Sequence, residues 1–172
     1  KLGEARLDID SPLLDDAARD LHNGLDALRR TVRGIHPREL SDHGLIAAIE
    51  TAAAQYGPHV TVRAPHKLPR IDDSVTAAAY FFTAEALTNA AKHAPQQPVS
   101  VLVTCDHTLN ISVTDQGGGN ARITPGGGLD GIQERIAAFG GSMEMTSPDG
   151  GPTTVTARIP LLLFRGESGI AP

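Results

Sequence analysis

Residues 99–115 of the chain have the sequence VSVLVTCDHTLNISVTD, in which apolar and polar side chains alternate. The first run, Val99 to Cys105, places its apolar residues at odd-numbered positions. The second run, Leu109 to Asp115, does the same after the link Asp106 to Thr108. A period of two residues is typical of half-buried strands, and two such runs joined by a short link predict an antiparallel hairpin.

The segments on either side of this hairpin predict helices and further strands. Helices are expected over residues 13–32, 41–56 and 132–139, with a long one that Asp72 or Asp73 caps and Pro95 ends; strands are expected over 60–62, 142–147 and 153–159. Most strands are adjacent in sequence, and helices are available to cover one face of the sheet. The predicted fold class is therefore a two-layer α/β sandwich with a mixed sheet.

The composition excludes several classes of function. The 172 residues carry 15 basic and 20 acidic side chains, a net charge of -5 that disfavours general binding to nucleic acid or anionic membranes. Four Phe, two Tyr and no Trp give little material for base stacking, and the lone Cys105 excludes internal disulfides. No apolar run approaches a membrane span and the first residues do not resemble a signal peptide, so we expect a cytoplasmic location.

The long helix before the hairpin carries a stripe of polar residues. At 100° per residue, Glu85, Asn89, Lys92 and His93 fall within an arc of about 100°. An acid, an amide, a cation and an imidazole on one stripe can form a binding site. The same spacing is also typical of the solvated face of an amphipathic helix, and the spacing alone leaves both interpretations open.

Two polar residues share the apolar side of the predicted sheet. Asp115 follows Leu109, Ile111 and Val113 at the same parity, and Thr153 begins the last strand at the parity of its apolar residues. A carboxylate on an apolar face is unfavourable unless it accepts hydrogen bonds. Asp115 could cap the following turn, or it could accept hydrogen bonds from a ligand.

Glycines follow Asp115 and lead into the next helix. Residues 117–119 and 126–128 are glycine, and Gly131 follows them. Glycine allows a backbone to approach a ligand closely, and a helix N-terminus favours an anion such as phosphate. No Gly-Lys-Ser/Thr sequence follows, and the G-x-G-x-x-G spacing from Gly126 to Gly131 is a weak dinucleotide signal without a preceding strand.

Together these segments resemble, in order and spacing, the motifs of the GHKL ATPase superfamily over roughly residues 40–160. The resemblances are Glu85-Ala-Leu-Thr-Asn89-Ala-Ala-Lys92-His93-Ala to the N-box, Asp115-Gln-Gly117-Gly-Gly119 to the first glycine box, Gly126-Gly-Gly128-Leu-Asp-Gly131-Ile-Gln-Glu-Arg135 to the second, and Gly151-Pro-Thr153 to the closing Gly-x-Thr feature. The resemblance implies the Bergerat ATP-binding fold. The first glycine box departs from the family where Gly118 and Asn120 replace larger residues.

The resemblance implies a role for each site residue, with ATP and Mg²⁺ as cofactors. Asp115 would accept a hydrogen bond from the amino group of adenine, Asn89 would hold Mg²⁺, and Glu85 would be the general base or a water-orienting carboxylate near the γ-phosphate. Phosphoryl transfer would then depend on positioning and charge neutralisation. The other residues expected to bind the nucleotide are Lys92, His93, Gly117, Gly119, Gly126, Gly128, Leu129, Gly131 and Thr153.

Within the superfamily, the chain resembles sensor histidine kinases with a short dimerisation helix hairpin. Residues 33–40, Arg-Gly-Ile-His-Pro-Arg-Glu-Leu, resemble the junction after that hairpin. The expected organisation is a truncated dimerisation and phosphotransfer region over 1–38, the ATP-binding domain over 39–165 and a tail over 166–172. Only 14 residues separate His22 from His36, so the acceptor histidine is expected upstream of Lys1.

This class implies partners outside the chain. The phosphoryl group would pass from a histidine to an aspartate on a response-regulator receiver domain. The parent protein would form a homodimer through its dimerisation helices and reach a membrane only through parts that this chain lacks. Two alternatives are an anti-sigma-type serine kinase, which the helix over 13–32 disfavours, and a non-catalytic nucleotide-binding or dimerising module, which the complete motifs disfavour.

Overall fold

The computed structural model describes residues 38–161. The helix predicted over residues 13–32, His22 and the tail predicted over 166–172 lie outside the described residues. Across residues 38–161, none of the helices has the length and apolar character needed to cross a membrane.

The described part of the chain forms three helices and five strands. They are α1 (Arg38–Ala54), β1 (Val60–Arg63), α2 (Asp73–His93), β2 (Val99–Cys105), β3 (Thr108–Asp115), α3 (Gly128–Ala138), β4 (Ser142–Thr146) and β5 (Thr153–Pro160). Every element predicted within this range is present, and Asp72 caps α2 by accepting a hydrogen bond from the Ser74 amide. The sequence patterns therefore identified the elements correctly.

The strands form one mixed sheet in the order β1-β2-β3-β5-β4. β1 pairs with β2 in parallel, and all other neighbours are antiparallel. The β2–β3 hairpin joins Val99 to Asp115 and Cys105 to Leu109 in register. The predicted α/β class with a mixed sheet is confirmed, and the fold brings the end of β3 beside the start of β5.

Two helices begin earlier than their sequences predict. α1 begins at Arg38 rather than near Ser41, and its backbone leaves helical geometry at Gly44, where φ is 81°. α3 begins at Gly128 rather than near Ile132. Glycine disfavours a helix, but the buried Leu129 anchors the first turn of α3, so tertiary packing outweighs the local propensity.

α2 lies at the centre of the helical layer. It packs against α1, against α3 and against β2, β3 and β5 of the sheet. Its middle is therefore buried on more than one side, and Glu85 is only 6% exposed. The interpretation of the polar stripe as a solvated helix face is wrong for Glu85 and fits only the end of the helix, where Lys92 and His93 are exposed.

The two faces of the sheet differ in character. The face under the helices is apolar and supplies much of the core, through Val99, Val101, Val103, Leu109, Ile111, Val113, Met143, Val155, Ala157 and Ile159. The other face, which no helix within residues 38–161 covers and which we call the uncovered face, carries hydroxyls that pair across strands, Ser112 with Thr156 at 3.2 Å and Thr114 with Thr154 at 3.0 Å. Within residues 38–161, the large hydrophobic side chain that is exposed is Leu102, with 44% of its surface accessible to solvent.

Candidate functional site

A cavity of about 510 Å³ opens between α2, the ends of β3 and β5, and the loop that follows β3. We call this loop, residues 116–127, the lid. Of the twelve predicted site residues, eight line the cavity: Asn89, His93, Asp115, Gly117, Gly119, Gly128, Leu129 and Thr153. The other four, Glu85, Lys92, Gly126 and Gly131, are not among the described residues that line it. The fold thus brings most of the predicted site together.

Asp115 lies at the end of β3, directly opposite Thr153 of β5. Its Oδ1 accepts a hydrogen bond of 2.9 Å from the amide of Gly117, while Oδ2 has no hydrogen-bond partner among residues 38–161. Asp115 is half-buried and lines the cavity. The turn cap predicted for Asp115 is confirmed for one oxygen, and the other oxygen can still accept from a ligand that carries an N–H group, which stays a prediction.

Thr153 is buried at the rim of the same cavity and connects to the lid through a serine. Its hydroxyl is 2.8 Å from the hydroxyl of Ser147. The Ser147 oxygen also accepts a hydrogen bond of 2.8 Å from the amide of Ala121, in the lid. A continuous path of hydrogen bonds therefore joins the cavity rim to the lid backbone.

Backbone hydrogen bonds join the first part of the lid to the loop between β4 and β5, residues 147–152. The Gly150 amide donates to the Gly118 carbonyl at 2.9 Å, and the Asn120 amide donates to the Ser147 carbonyl at 3.2 Å. Gly119 has φ 69°, and a Cβ there would collide with the Pro148 carbonyl. Only glycine satisfies both the backbone conformation and this close approach.

The N-terminus of α3 forms one end of the cavity. Gly127, Gly128 and Leu129 line it, and Gly127 occupies the N-cap position without a side-chain cap. The amide of Gly126 donates to Asp130 Oδ2 at 2.8 Å, which holds the end of the lid to the first turn of α3. First-turn amides and the helix dipole favour an anion at such a position.

Glu85 lies outside the cavity, at this same helix N-terminus. A Cβ on Gly128 would collide with the Glu85 carboxylate, so glycine at this position lets the carboxylate rest against the start of α3. A carboxylate is favourable near the positive end of a helix dipole. The sequence could not predict this burial, because helical spacing does not indicate which neighbouring helix covers a stripe.

The cavity contains residues that the sequence analysis missed. Arg122 and Thr124 come from the lid, where no periodic pattern indicates which side chains point inward. The apolar lining is formed by Ala86, Ala90, Val113, Ala121, Ile123, Met145 and Val155. Strand parity could have identified Val113 and Val155, because they share the sheet face of Asp115 and Thr153.

Asn89 is the residue that could hold a cation beside phosphates. It is half-buried on α2 and lines the cavity one helical turn from His93. Within residues 38–161, no group of three or more His, Cys, Asp or Glu side chains could hold a metal by itself. Mg²⁺ commonly takes one or two protein oxygens and completes its shell with water and substrate phosphates. The single amide side chain of Asn89, at the lining of the cavity, would fit that mode of binding if phosphates were bound beside it.

Two turn carboxylates outside the cavity have lowered pKa values. Hydrogen bonds from the hydroxyl and amide of Ser74 lower the pKa of Asp72, and those from the amide and hydroxyl of Thr108 lower the pKa of Asp106. Burial raises the pKa of the neighbouring Cys105 thiol. The Thr108 amide binds Asp106 Oδ1 at 2.8 Å, which repeats the turn geometry of Asp115 away from the cavity.

The fold and cavity define an ATP-binding domain of the GHKL class. Residues 75–163, over half of the chain, match the family of histidine kinase-, DNA gyrase B-, and HSP90-like ATPases. The chain belongs to this family.

Curated relatives include two sensor histidine kinases. MctS of Rhizobium johnstonii is 30% identical over 165 residues, 86% of this chain and 36% of the relative. The oxygen sensor histidine kinase NreB of Staphylococcus carnosus is 31% identical over 146 residues, 80% of this chain and 42% of the relative. The chain therefore spans less than half the length of each.

Solved structures show the same fold. The histidine kinase domain of the blue-light activated histidine kinase EL346 from Erythrobacter litoralis has a TM-score of 0.53 and 19% identity, over 66% of this chain and 57% of that one. Full-length ShkA in complex with AMPPNP has a TM-score of 0.53 and 21% identity, over 68% of this chain and 29% of that one.

Proposed function

We propose that this chain is the catalytic portion of a sensor histidine kinase, in which it binds Mg²⁺-ATP and presents the γ-phosphoryl group to a histidine. The observation that carries the proposal is Asp115, whose Oδ1 is held by the Gly117 amide while Oδ2 remains available at a cavity. The names of the relatives MctS and NreB, both sensor histidine kinases, support the choice of class within the family.

The cavity has the chemistry expected for a purine that carries an amino group. Val113, Val155 and Met145 provide an apolar surface for the flat ring. Asp115 accepts a hydrogen bond from the exocyclic amino group, and Thr153 offers a hydroxyl beside it. A 6-oxo purine would place an oxygen against the carboxylate, so this arrangement favours adenine.

The opposite end of the cavity suits the phosphates. Lid glycines and the amides at the start of α3 offer backbone donors, and Arg122 and His93 add side-chain donors. Asn89 would hold Mg²⁺, which neutralises charge on the phosphates. Lys92 lies next to His93 on the exposed end of α2 and would contribute a further positive charge to a bound triphosphate.

Glu85 is proposed as the general base or orienting carboxylate. Its carboxylate lies outside the cavity against Gly128, at the start of α3, and this closeness to the amides proposed to bind phosphate supports the role. The second-box residues Gly126 and Gly131 would act on the nucleotide through the conformation of the lid and of α3. The lid would close over the nucleotide and exclude water before transfer.

The rest of the parent protein completes this function. Residues 1–38 are proposed as the remainder of a dimerisation region, residues 39–165 as the catalytic domain and residues 166–172 as a tail. The acceptor histidine would lie upstream of Lys1, and an aspartate of a response-regulator receiver domain would receive the phosphoryl group. The parent would act as a homodimer, with this domain in the cytoplasm and any membrane contact made elsewhere in the parent.

Calorimetry on the 172-residue chain tests the nucleotide site. Wild type should bind ATP more tightly with Mg²⁺ than with EDTA, and Asn89→Ala should weaken Mg²⁺-dependent binding by about tenfold, the value of one ion-assisted contact. Asn110→Ala is the matched control, because within residues 38–161 that amide donates to Thr108, at 3.1 Å, on the uncovered sheet face and away from the cavity. ATP binding that is absent, or indifferent to Mg²⁺ and Asn89, would contradict the proposal.

The parent kinase tests the chemistry of transfer. Labelled ATP should give a phosphoprotein whose label is lost in acid, because phosphohistidine is acid-labile and phosphoserine is not. The label should then move to an isolated receiver domain. An acid-stable label would instead assign the protein to the serine kinases of the same family.

A further inference from the structure

Ser147, the residue after β4, connects two parts of the site that have different tasks. On one side its hydroxyl lies 2.8 Å from that of Thr153, which is 8% exposed at the base end of the cavity. On the other side it accepts the amide of Ala121 in the lid, also at 2.8 Å. Ser147 does not line the cavity, so any effect it has on the nucleotide must act through these two neighbours.

Either hydroxyl can donate in the Ser147–Thr153 hydrogen bond, because the Ser147 oxygen that accepts from Ala121 keeps a second lone pair. A ligand atom that accepts the Thr153 proton leaves Ser147 as the donor of this bond. Asp115 is an acceptor directly opposite, so the rim presents one donor and one acceptor, as the edge of a 6-aminopurine requires.

The bond between Ala121 and Ser147 also shows how far along the lid the contacts with the neighbouring loop extend. Hydrogen bonds to the loop between β4 and β5 hold residues 118–121, and within residues 38–161 they end at Ala121. The next lid bonds are local, from the Gly127 amide to the Thr124 carbonyl at 2.9 Å and from Gly126 to Asp130. Residues 122–125, which include the cavity-lining Arg122, thus follow directly after the bond that Ser147 makes.

We propose that Ser147 is a positioning residue that couples the base to the lid. When a purine accepts the Thr153 proton, the Ser147–Thr153 donation becomes fixed, and the bond from Ala121 strengthens because linked hydrogen bonds polarise one another. The base then orders residues 122–125 before any phosphate contact is made. The inference rests on the proposed nucleotide site and adds a role for a residue outside the cavity.

Adenosine is the appropriate probe because it carries the base and no phosphate. Amide hydrogen exchange of residues 122–126, except Pro125, which has no amide hydrogen, is followed in the 172-residue chain with and without saturating adenosine. In wild type adenosine should slow this exchange by about fivefold, the net value of one hydrogen bond. In Ser147→Ala the ratio between bound and free exchange should approach one. Ser147→Thr, which keeps the hydroxyl, should restore the fivefold slowing of exchange by adenosine.

A matched control separates coupling from general loosening. Ser112→Ala removes a hydroxyl that pairs with Thr156 at 3.2 Å on the uncovered face, and it should retain the adenosine effect. Should Ser147→Ala fail to fold, Ser147→Cys keeps the side-chain size while weakening both bonds. The bound-to-free ratio is decisive, because a purely structural serine would change free and bound exchange equally.

The possible results separate the two proposals. If adenosine binds wild type but slows exchange equally in wild type and Ser147→Ala, the coupling is wrong and the nucleotide site stands. If adenosine binds wild type without slowing the exchange of residues 122–126, the coupling is also wrong. If wild type binds neither adenosine nor ATP, the nucleotide site itself is wrong and the coupling falls with it.

Discussion

Replacing Asp115 by asparagine reverses the hydrogen-bonding character of one atom at the cavity. The amide of Gly117 donates to Oδ1 at 2.9 Å and would fix the orientation of the new side chain, because only its oxygen can accept that bond. The nitrogen of Asp115→Asn must then take the place of Oδ2. A donor would stand where the amino group of adenine needs an acceptor, while the turn itself remains capped.

The expected loss is that of one charge-assisted hydrogen bond. A loss of about 1.5–3 kcal/mol corresponds to ATP binding weakened by about 10- to 150-fold. Inosine triphosphate, which has an oxygen in place of the amino group, can accept from the new nitrogen. The ratio of ATP to ITP affinity should therefore fall further than the ATP affinity alone. Isothermal titration calorimetry with both nucleotides measures the two quantities.

Asp106→Asn is the matched control for this experiment. Asp106 caps its own turn through the Thr108 amide at 2.8 Å, in the same geometry, but lies between β2 and β3 away from the cavity. Asp106→Asn should change neither the affinity for ATP nor that for ITP. An Asp115→Asn chain that binds ATP as tightly as wild type, with the same preference over ITP, would refute the assignment of the carboxylate to adenine.

Three other substitutions test separate parts of the site and fold. Glu85→Gln should leave ATP affinity nearly intact and slow phosphoryl transfer in the parent kinase by roughly 10²–10⁴, the range of a general base; transfer at the wild-type rate would remove that role. Arg122→Ala should weaken ATP binding by about tenfold without affecting adenosine binding, because we propose that the guanidinium of this cavity-lining residue binds phosphate; substitution of the exposed Arg63 by alanine should change neither affinity. Asp72→Ala should lower the urea midpoint at pH 7 by removing the α2 cap. Because hydrogen bonds lower the folded pKa of Asp72, its stabilisation is present above the unfolded pKa of roughly 4 and disappears as pH falls through the folded value. The urea midpoints of wild type and Asp72→Ala should therefore converge in acid. A difference between them that stays constant with pH would contradict the assignment of Asp72 as the helix cap.

The sequence predicted the elements because each has a strong local signal. The alternation through β2 and β3 and the turn chemistry around Asp106 determine the hairpin with its register. The boundaries of α1 and α3 were less predictable, because buried residues such as Leu129 extend a helix that its glycines disfavour. A boundary of this kind depends on packing against other elements, which no local pattern reports.

The residues of the site also fall into those that the sequence predicts and those that it does not. Asp115 and Thr153 were predictable because strand parity places a polar residue on an apolar face. Arg122 and Ser147 were not, since both lie in loops whose conformation follows from contacts between distant segments. The burial of Glu85 could not be inferred either, because a helical wheel gives angles but not the positions of α1 and α3.

The uncovered face of the sheet has a consequence for how the domain behaves in a crowded solution. Its cross-strand hydroxyl pairs already satisfy one another, and Leu102 adds little apolar area. Stacking two such faces would release little water from apolar surface and so gain little free energy. Two copies of the domain brought close together would therefore gain little free energy by packing sheet against sheet.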